Sequence, residues 1–355
     1  MKFFKIKRKS SKKRVQFRDQ EKHTSSVTSS ELSFSSQNSQ VDLIPSSAIS
    51  DSSPNSDIDI PFKITKKIQS GQHGAIYFGR SLQYSDYEVV IKVINKHDTK
   101  ELIMAKAAYA VVPEFTLPVI YSKKTTSTST KGSSKSDLGS NKSADPSGQV
   151  IMVQEKYGKS LYDVMAQDQQ VLPFKNLRYI YWQVLLAVNL LQKHGIYHLD
   201  LKEENILLDE KTMRIKIIDF GVSRTTPIPM NKVVGSVSFA APEVMFGLSC
   251  PNSIKKHDIW SFGVCLYSSI TGKLPYKNIE NVITGKESID LNLIAKSLIK
   301  ERNEFGLGDD LSDDEIFDFC DLLKKIFEIR VERRIGFSQL LKSEIFLSRR
   351  EFLKI

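Results

Sequence analysis

Cysteine and tryptophan are scarce in this chain of 355 residues, which has three of the first and two of the second. Cys250, Cys265 and Cys320 show no metal-ligand spacing and read as reduced thiols of a cytosolic or nuclear protein. No apolar run approaches the roughly 20 residues that cross a bilayer, so no transmembrane segment is expected. The start, Met1-Lys2-Phe3-Phe4, lacks the apolar core of a secretory signal, and Lys2 after Met1 excludes N-myristoylation. The net charge of +10 is modest for this length, and no nucleic-acid partner is expected. Acid is missing altogether from residues 1–18, which carry Lys2, Lys5, Lys7, Arg8, Lys9, Lys12, Lys13, Arg14 and Arg18. Base is almost missing from Asp19 to Ile60, where Lys22 stands alone.

With 40% hydrophobic and 26% charged residues, the chain has enough apolar surface for one large domain or two lobes. The Ser-rich stretch that follows the basic arm does not, so residues 1–60 are expected to form a disordered tail. Lys7-Arg8-Lys9-Ser10-Ser11-Lys12-Lys13-Arg14 reads equally as a nuclear localisation signal or as a solvated basic arm. The expected location is cytoplasmic, nuclear or both. Folding is expected over 61–347, with a short end at 348–355. Residues 122–149 are dominated by Ser, Thr, Lys and Gly, and read as a surface insertion between strands.

The chemistry concentrates in His198-Leu199-Asp200-Leu201-Lys202-Glu203-Glu204-Asn205, followed by Ile206-Leu207-Leu208 and, after a turn, by Ile215-Lys216-Ile217-Ile218-Asp219-Phe220-Gly221. Two short apolar strands thus carry polar groups at their edges. Asp200 can accept a proton from a hydroxyl nucleophile, and Lys202 can neutralise a transferring phosphoryl group. Asn205 and Asp219 offer hard oxygen ligands for Mg2+, which takes one or two carboxylates plus phosphate oxygens. Phosphoryl transfer asks mainly for positioning and charge neutralisation, and these residue types supply both.

These two strings resemble the catalytic and magnesium loops of the eukaryotic protein kinases. The resemblance implies an α+β, two-lobed fold: a small N-lobe (61–157) built on an antiparallel sheet with one helix, and a larger helical C-lobe (158–347). It implies a Ser/Thr kinase using ATP and Mg2+ on protein substrates, acting as a monomer. Lys202 and Ser236 favour Ser/Thr over Tyr. The remaining motifs follow in order. Phe62–Ile68 has strand character. Gly71 and Gly74 match two glycines of the loop that covers the ATP phosphates, with Ile68 before it and Ile76 at the adenine-covering position. Gln69 replaces the first glycine, and His73 stands at a tip that is usually aromatic. Lys92, in the β-branched run Glu88–Ile94, matches the lysine that holds the α- and β-phosphates. A helix is expected from Asp98 to Ala110. Its Glu101 reads either as half of a capping box begun by Asp98 or as the partner of Lys92.

Val119-Ile120-Tyr121 is expected as the fourth strand and 150–155 as the fifth. Gln154 falls at the back of the nucleotide pocket, and Glu155 and Tyr157 at the hinge whose backbone binds adenine. In the C-lobe a long helix is expected from Leu177 to His194. Glu243 should pair with Arg334, and Asp258 should brace the catalytic loop. Asp258–Val264 and Leu274–Tyr276 are worded most like the calcium/calmodulin-dependent kinase-like group, though no calmodulin-binding tail is expected after the last helix. Glu203 and Glu204 are expected to flank the substrate and favour basic peptides weakly, because Ser160 stands where a second acidic anchor occurs. Leu199 replaces the arginine of the family's usual His-Arg-Asp triplet. Lys13-Arg14-Val15-Gln16-Phe17 resembles the docking motif for type-1 protein phosphatase, in which Val15 and Phe17 would enter two apolar pockets by strand addition. The competing reading of the whole chain is a pseudokinase or scaffold that displays this tail.

Overall fold

The computed structural model describes residues 60–71, 74–95, 99–125, 149–167, 172–226, 235–247, 253–305 and 312–347. The tail motif at 13–17, the loop tip Gln72-His73, Asp98, most of the insertion, Cys250 and residues 348–355 lie outside them. The described residues belong to one compact unit.

Five strands form an antiparallel sheet in the order β1-β2-β3-β5-β4, with β1 at Phe62–Gly71, β2 at Gly74–Ser81, β3 at Glu88–Asn95, β4 at Tyr121–Lys124 and β5 at Gln149–Glu155. Valine and isoleucine dominate β3 and β5 because a half-buried pleated surface suits β-branched side chains. Val89, Ile91, Val93, Ile151 and Val153 are all buried. Helix α1 (Lys100–Val111) lies between β3 and β4 in the chain and buries Leu102, Met104, Ala105 and Ala108. Among the described residues no helix is long and apolar enough to cross a membrane.

The second lobe is built on α2 (Phe174–Lys193) and α4 (Ser253–Thr271). Apolar residues of α2 recur at helical spacing, so Leu177, Ile180, Tyr181, Val184, Leu185, Val188 and Leu191 fall on one buried stripe. α4 is buried nearly all round, with Trp260, Phe262 and Val264 inside. A small antiparallel sheet, β6 (Lys159–Ser160), β7 (Ile206–Asp209) and β8 (Arg214–Ile217), frames the catalytic string. α3 (Pro242–Met245), α5 (Ile279–Ile283), α6 (Leu291–Phe305), α7 (Asp313–Ile326), α8 (Phe337–Leu340) and α9 (Glu344–Leu347) complete the lobe. Ser312 and Glu315 form a reciprocal capping box at the start of α7.

Several boundaries differ from expectation. The fourth strand begins at Tyr121 and not Val119, and runs to Lys124. Ser122, Lys123 and Lys124 pair with Met152, Ile151 and Val150, so sheet pairing claims three residues that their polarity assigns to the insertion. Helix α1 starts at Lys100, behind Thr99, whose side chain makes no capping bond. Helix α2 starts at Phe174, three residues early. Pro173 precedes it, and the Glu301 carboxylate of α6 accepts the Phe174 N–H, a cap supplied from far along the chain.

A candidate active site between the two sheets

Lys92 projects from the middle of β3, where its neighbours across the ladder are Ile76 and Met152. A buried ammonium needs compensation. The Glu101 carboxylate of α1 contacts it directly, and Asp219 Oδ1 lies 3.4 Å away. Burial pulls the Lys92 ammonium down, but Asp219 and Glu101 more than offset this and hold it above the usual lysine value. The Lys92–Glu101 pair ties helix α1 to the sheet, and the Lys92–Asp219 contact ties the sheet to the second lobe.

Asp219 takes a left-handed backbone, φ 63°, and its Oδ1 accepts the Gly221 N–H at 3.3 Å. Non-glycine residues in this region cluster at functional sites, where the surroundings over-determine the conformation. Here Phe220 is buried with its ring edge-on to His198, and His198 Nε2 lies 2.9 Å from the Ile218 carbonyl.

Asp200 lies at the centre of the other half. Its Oδ1 accepts the Ser236 N–H at 2.7 Å, and its Oδ2 faces Lys202 Nζ at 3.0 Å and Asn205 Nδ2 at 3.2 Å. Lys202 Nζ also donates to Ser236 Oγ at 2.8 Å. Burial pushes the Asp200 carboxyl up, but Lys202, Ser236 and His198 together hold it below the usual carboxylate value. Asp200 is therefore a carboxylate at neutral pH, oriented by fixed donors. Asn205 donates its amide N–H to the Asp200 carbonyl at 2.8 Å, which leaves its side-chain oxygen as the available ligand.

Among the described residues no cluster of three or more His, Cys, Asp or Glu side chains could hold a metal. Asn205 and Asp219 offer one amide oxygen and one carboxylate, a set that suits Mg2+ sharing its coordination with phosphate oxygens. On the nucleotide side, Gly71 and Gly74 pair at the end of the β1–β2 hairpin. Gly74 has φ 141°, and a Cβ there would lie 1.9 Å from the Val93 carbonyl, so only glycine fits. Ile68 is 45% exposed and Ile76 half-buried, an apolar pair flanking the turn. Gln69 pairs with Ile76, beside a register shift after Lys67.

Glu155 ends β5 opposite Val89. Lys156 N–H donates to the Glu88 carbonyl at 3.0 Å, and its ammonium pairs with the Glu88 carboxylate at 2.7 Å. Tyr157 donates its hydroxyl to the Arg214 carbonyl at 3.2 Å, and burial pushes that phenol up to about 12. Gln154 Nε2 donates to the Leu117 carbonyl at 3.1 Å, so this amide fastens the strand to the segment before β4.

The scaffold under the loop is ionic. Asp258 accepts the His198 N–H at 3.0 Å and the Leu199 N–H at 2.7 Å. Glu243 and Arg334 form a two-pronged pair at 2.7 and 2.9 Å, with 3% and 1% of their surfaces exposed. Two further Arg334 N–H groups reach the Glu328 and Lys256 carbonyls, and its guanidinium lies 4.9 Å from the Trp260 ring centre.

Two groups escaped the reading of the sequence. His257 accepts the Ala241 N–H on Nδ1 and faces the Leu199 carbonyl with Nε2 at 3.3 Å. Burial holds it below the usual histidine value despite Asp258 and Glu243, so it braces the loop as a neutral ring. Its only signal was a histidine inside an apolar helix. Glu203 was expected beside the substrate, yet it is buried and accepts a hydrogen bond from Ser268 of α4; Glu204 is exposed. In the short 3-10 turn Glu203–Asn205 successive side chains point about 120° apart, so Glu203 is buried while Glu204 is exposed, which two adjacent glutamates in sequence do not reveal. Ser160 Oγ bonds Asp163 at 2.7 Å, a local pairing at the start of the second lobe.

A family model described as "Protein kinase domain" matches residues 62–346. The chain belongs to the protein kinase family. Over 134 residues it is 40% identical to a probable serine/threonine-protein kinase of Dictyostelium discoideum, covering 37% of this chain and 9% of that protein. Sperm motility kinase 3A of Mus musculus is 38% identical over 147 residues, 39% of this chain and 28% of that protein. The carbon catabolite-derepressing protein kinase of Candida tropicalis is 38% identical over 130 residues, 36% and 20% of the two chains. The chain spans under a third of the length of each of these relatives.

Proposed function

We propose that this kinase-family chain is an active Ser/Thr protein kinase that moves the γ-phosphoryl group of ATP to Ser or Thr hydroxyls of proteins. The observation that carries the reading is the assembly of Lys202, Asn205 and Ser236 around the Asp200 carboxylate, with the linked set of Lys92, Glu101 and Asp219 joined to it through the Ile218 N–H, which donates to the Asn205 carbonyl at 3.0 Å. In the reaction a substrate oxygen bonds the γ-phosphorus as the bond to the departing ADP oxygen breaks. Asp200 orients that hydroxyl and accepts its proton. Lys202 neutralises charge on the moving group, and Lys92, fixed by Glu101, holds the inner phosphates. Mg2+, held by Asn205 and Asp219, would supply further charge neutralisation. Gly71 and Gly74 close the hairpin whose backbone would cover the phosphates, with Ile68 and Ile76 over the base and the backbone of Glu155 and Tyr157 against its edge.

A peptide phosphorylation assay with Asp200→Asn as control tests this. The variant should lose several orders of magnitude in rate while it still binds ATP. Near wild-type turnover by Asp200→Asn, or no transfer by the wild type, would refute the proposal. The second of these results would favour a scaffold, for which Gln69 in the phosphate-covering loop is the supporting departure. The tail reading belongs here too: residues 13–17 recruit type-1 phosphatase, and the protein works in the cytoplasm, the nucleus or both.

A further inference from the structure

Glu155 and Tyr157 lead out of β5, and the chain then steps onto the small sheet of the second lobe. Gly158 makes the step at φ 35°, where a Cβ would lie 2.0 Å from the Leu208 carbonyl oxygen of β7. Lys159 and Ser160 follow, paired with Leu208 and Leu207. Two residues of β8 hold the side chain just before that step. The Tyr157 hydroxyl donates to the Arg214 carbonyl at 3.2 Å, and the Lys216 ammonium lies 6.0 Å from the centre of the Tyr157 ring, within reach of a cation–π attraction. Lys216 also donates to the Pro113 carbonyl at 3.0 Å, and Arg214 pairs with Glu114 at 3.1 Å. The next residue of β8, Ile217, donates its N–H to the Phe115 carbonyl at 2.7 Å. β8 therefore grips the hinge on one side and the segment after α1 on the other. Burial pulls the Lys216 ammonium down, opposed by Glu155 and Glu114. A lysine that keeps this half-buried place against such a cost is held there by its partners.

We infer that Lys216 is a positioning residue for the hinge: through the Tyr157 side chain it fixes the backbone of residues 155–157, and so sets the preference for adenine over guanine nucleotides. The inference rests on the reading that this backbone meets the edge of the base. Adenine and guanine present opposite donor and acceptor patterns on that edge, so peptide groups placed for one gain nothing from the other. A site built on hydrogen bonds discriminates only while its donors and acceptors stay in place. The Glu114–Arg214 pair is exposed on both sides and contributes little by itself. The brace therefore rests on Lys216 and Tyr157, with Gly158 fixing where the chain leaves the hinge.

The test measures ATP and GTP binding to the full-length protein, by competition against a fluorescent nucleotide, for wild type, Lys216→Met and Tyr157→Phe. Peptide phosphorylation, and backbone hydrogen exchange of the nucleotide-free protein, are recorded in parallel. Methionine keeps nearly the length of lysine and loses the charge and the donors. Lys216→Met should bind ATP roughly threefold to tenfold more weakly, the scale of one hydrogen bond, and GTP within about twofold of wild type. KM for ATP should rise by the same factor while kcat at saturating ATP is kept, because the base is held alike before and during transfer. The Lys156 amide, which donates to the Glu88 carbonyl, should exchange faster in this variant. Tyr157→Phe removes only the hydroxyl and should shift the ATP to GTP ratio in the same direction; it carries the test if Lys216→Met fails to fold. Equal weakening of ATP and GTP would show a general loosening of the site and overturn the inference, as would wild-type ATP affinity in both variants. A wild type that binds ATP but transfers nothing would overturn the transferase reading, and a shifted ATP to GTP ratio in the variants would still leave the brace standing. A wild type that binds neither nucleotide would overturn both.

Discussion

Replacing Glu203 by glutamine should make the protein more stable at neutral and alkaline pH. Glu203 sits under the catalytic loop, 7% exposed, with the Ser268 hydroxyl of α4 as its hydrogen-bond donor. The groups around it are Tyr181 of α2, Cys265 of α4 and its neighbour Glu204, and none of them is a cation. Burial pushes the Glu203 carboxyl up from 4.5 to about 7, with Glu204 adding to the rise and Ser268 opposing it. Below the unfolded value the group is protonated in both states and contributes nothing to the pH dependence. Between the two values the unfolded chain gives up its proton while the folded chain keeps it, so stability falls as pH rises. Above about 7 both states are ionised and the full cost remains, about 3 kcal/mol at 1.36 kcal/mol per pH unit. Between about pH 5 and about pH 8 the wild type should lose roughly 2–3 kcal/mol through this one group.

Glutamine cannot ionise, and its side-chain oxygen still accepts from Ser268. Urea unfolding followed by fluorescence of Trp182 and Trp260 gives both stabilities at each pH. The difference between Glu203→Gln and wild type should grow by roughly 2–3 kcal/mol from the lower to the higher pH, because contributions from titrating groups that do not interact with Glu203 cancel. A difference that stays constant within about 0.5 kcal/mol would show that Glu203 titrates as an ordinary carboxylate, and that its burial carries no electrostatic cost.

Removing one half of the buried Glu243–Arg334 pair leaves an uncompensated charge, so Arg334→Ala should cost about 3–5 kcal/mol and lower Tm by roughly 10 °C in a thermal melt; an unchanged Tm would refute this. Glu204 is the exposed acid of the catalytic turn, so arginine-containing peptides should be preferred. Glu204→Ala should lower their kcat/KM roughly fivefold, the scale of one exposed ion pair, and selection of acidic peptides in a positional library would contradict it. A wild-type peptide of the first residues should retain type-1 phosphatase in a pulldown, and substituting Val15 and Phe17 together by Ala should abolish it; no binding by the wild-type peptide ends that idea.

How far the sequence could be read depended on whether a position is fixed by its neighbours along the chain or by residues far away. The Lys92–Glu101 contact was within reach because a lysine inside a buried strand must find a carboxylate, and few candidates follow it. Glu243 with Arg334 and Asp258 with the catalytic loop came by resemblance; Glu243 and Asp258 sit on α3 and α4, while their partners Arg334, His198 and Leu199 lie in irregular segments that those helices hold. The start of α2 was missed because its cap, Glu301, lies 127 residues away. The limits of β4 were missed because Ser122, Lys123 and Lys124 look like the insertion they adjoin, and only pairing with β5 makes them strand. Glu203 shows the same limit at the site itself. Two neighbouring glutamates are indistinguishable on paper, yet one faces solvent and the other lies under the loop beside Ser268. Leu199 lies between these cases. The absence of charge at that position was plain in the sequence, and it said what the residue cannot do. Where its side chain packs follows from Tyr197, Val222, Val244 and Ile254, which only the folded chain brings around it.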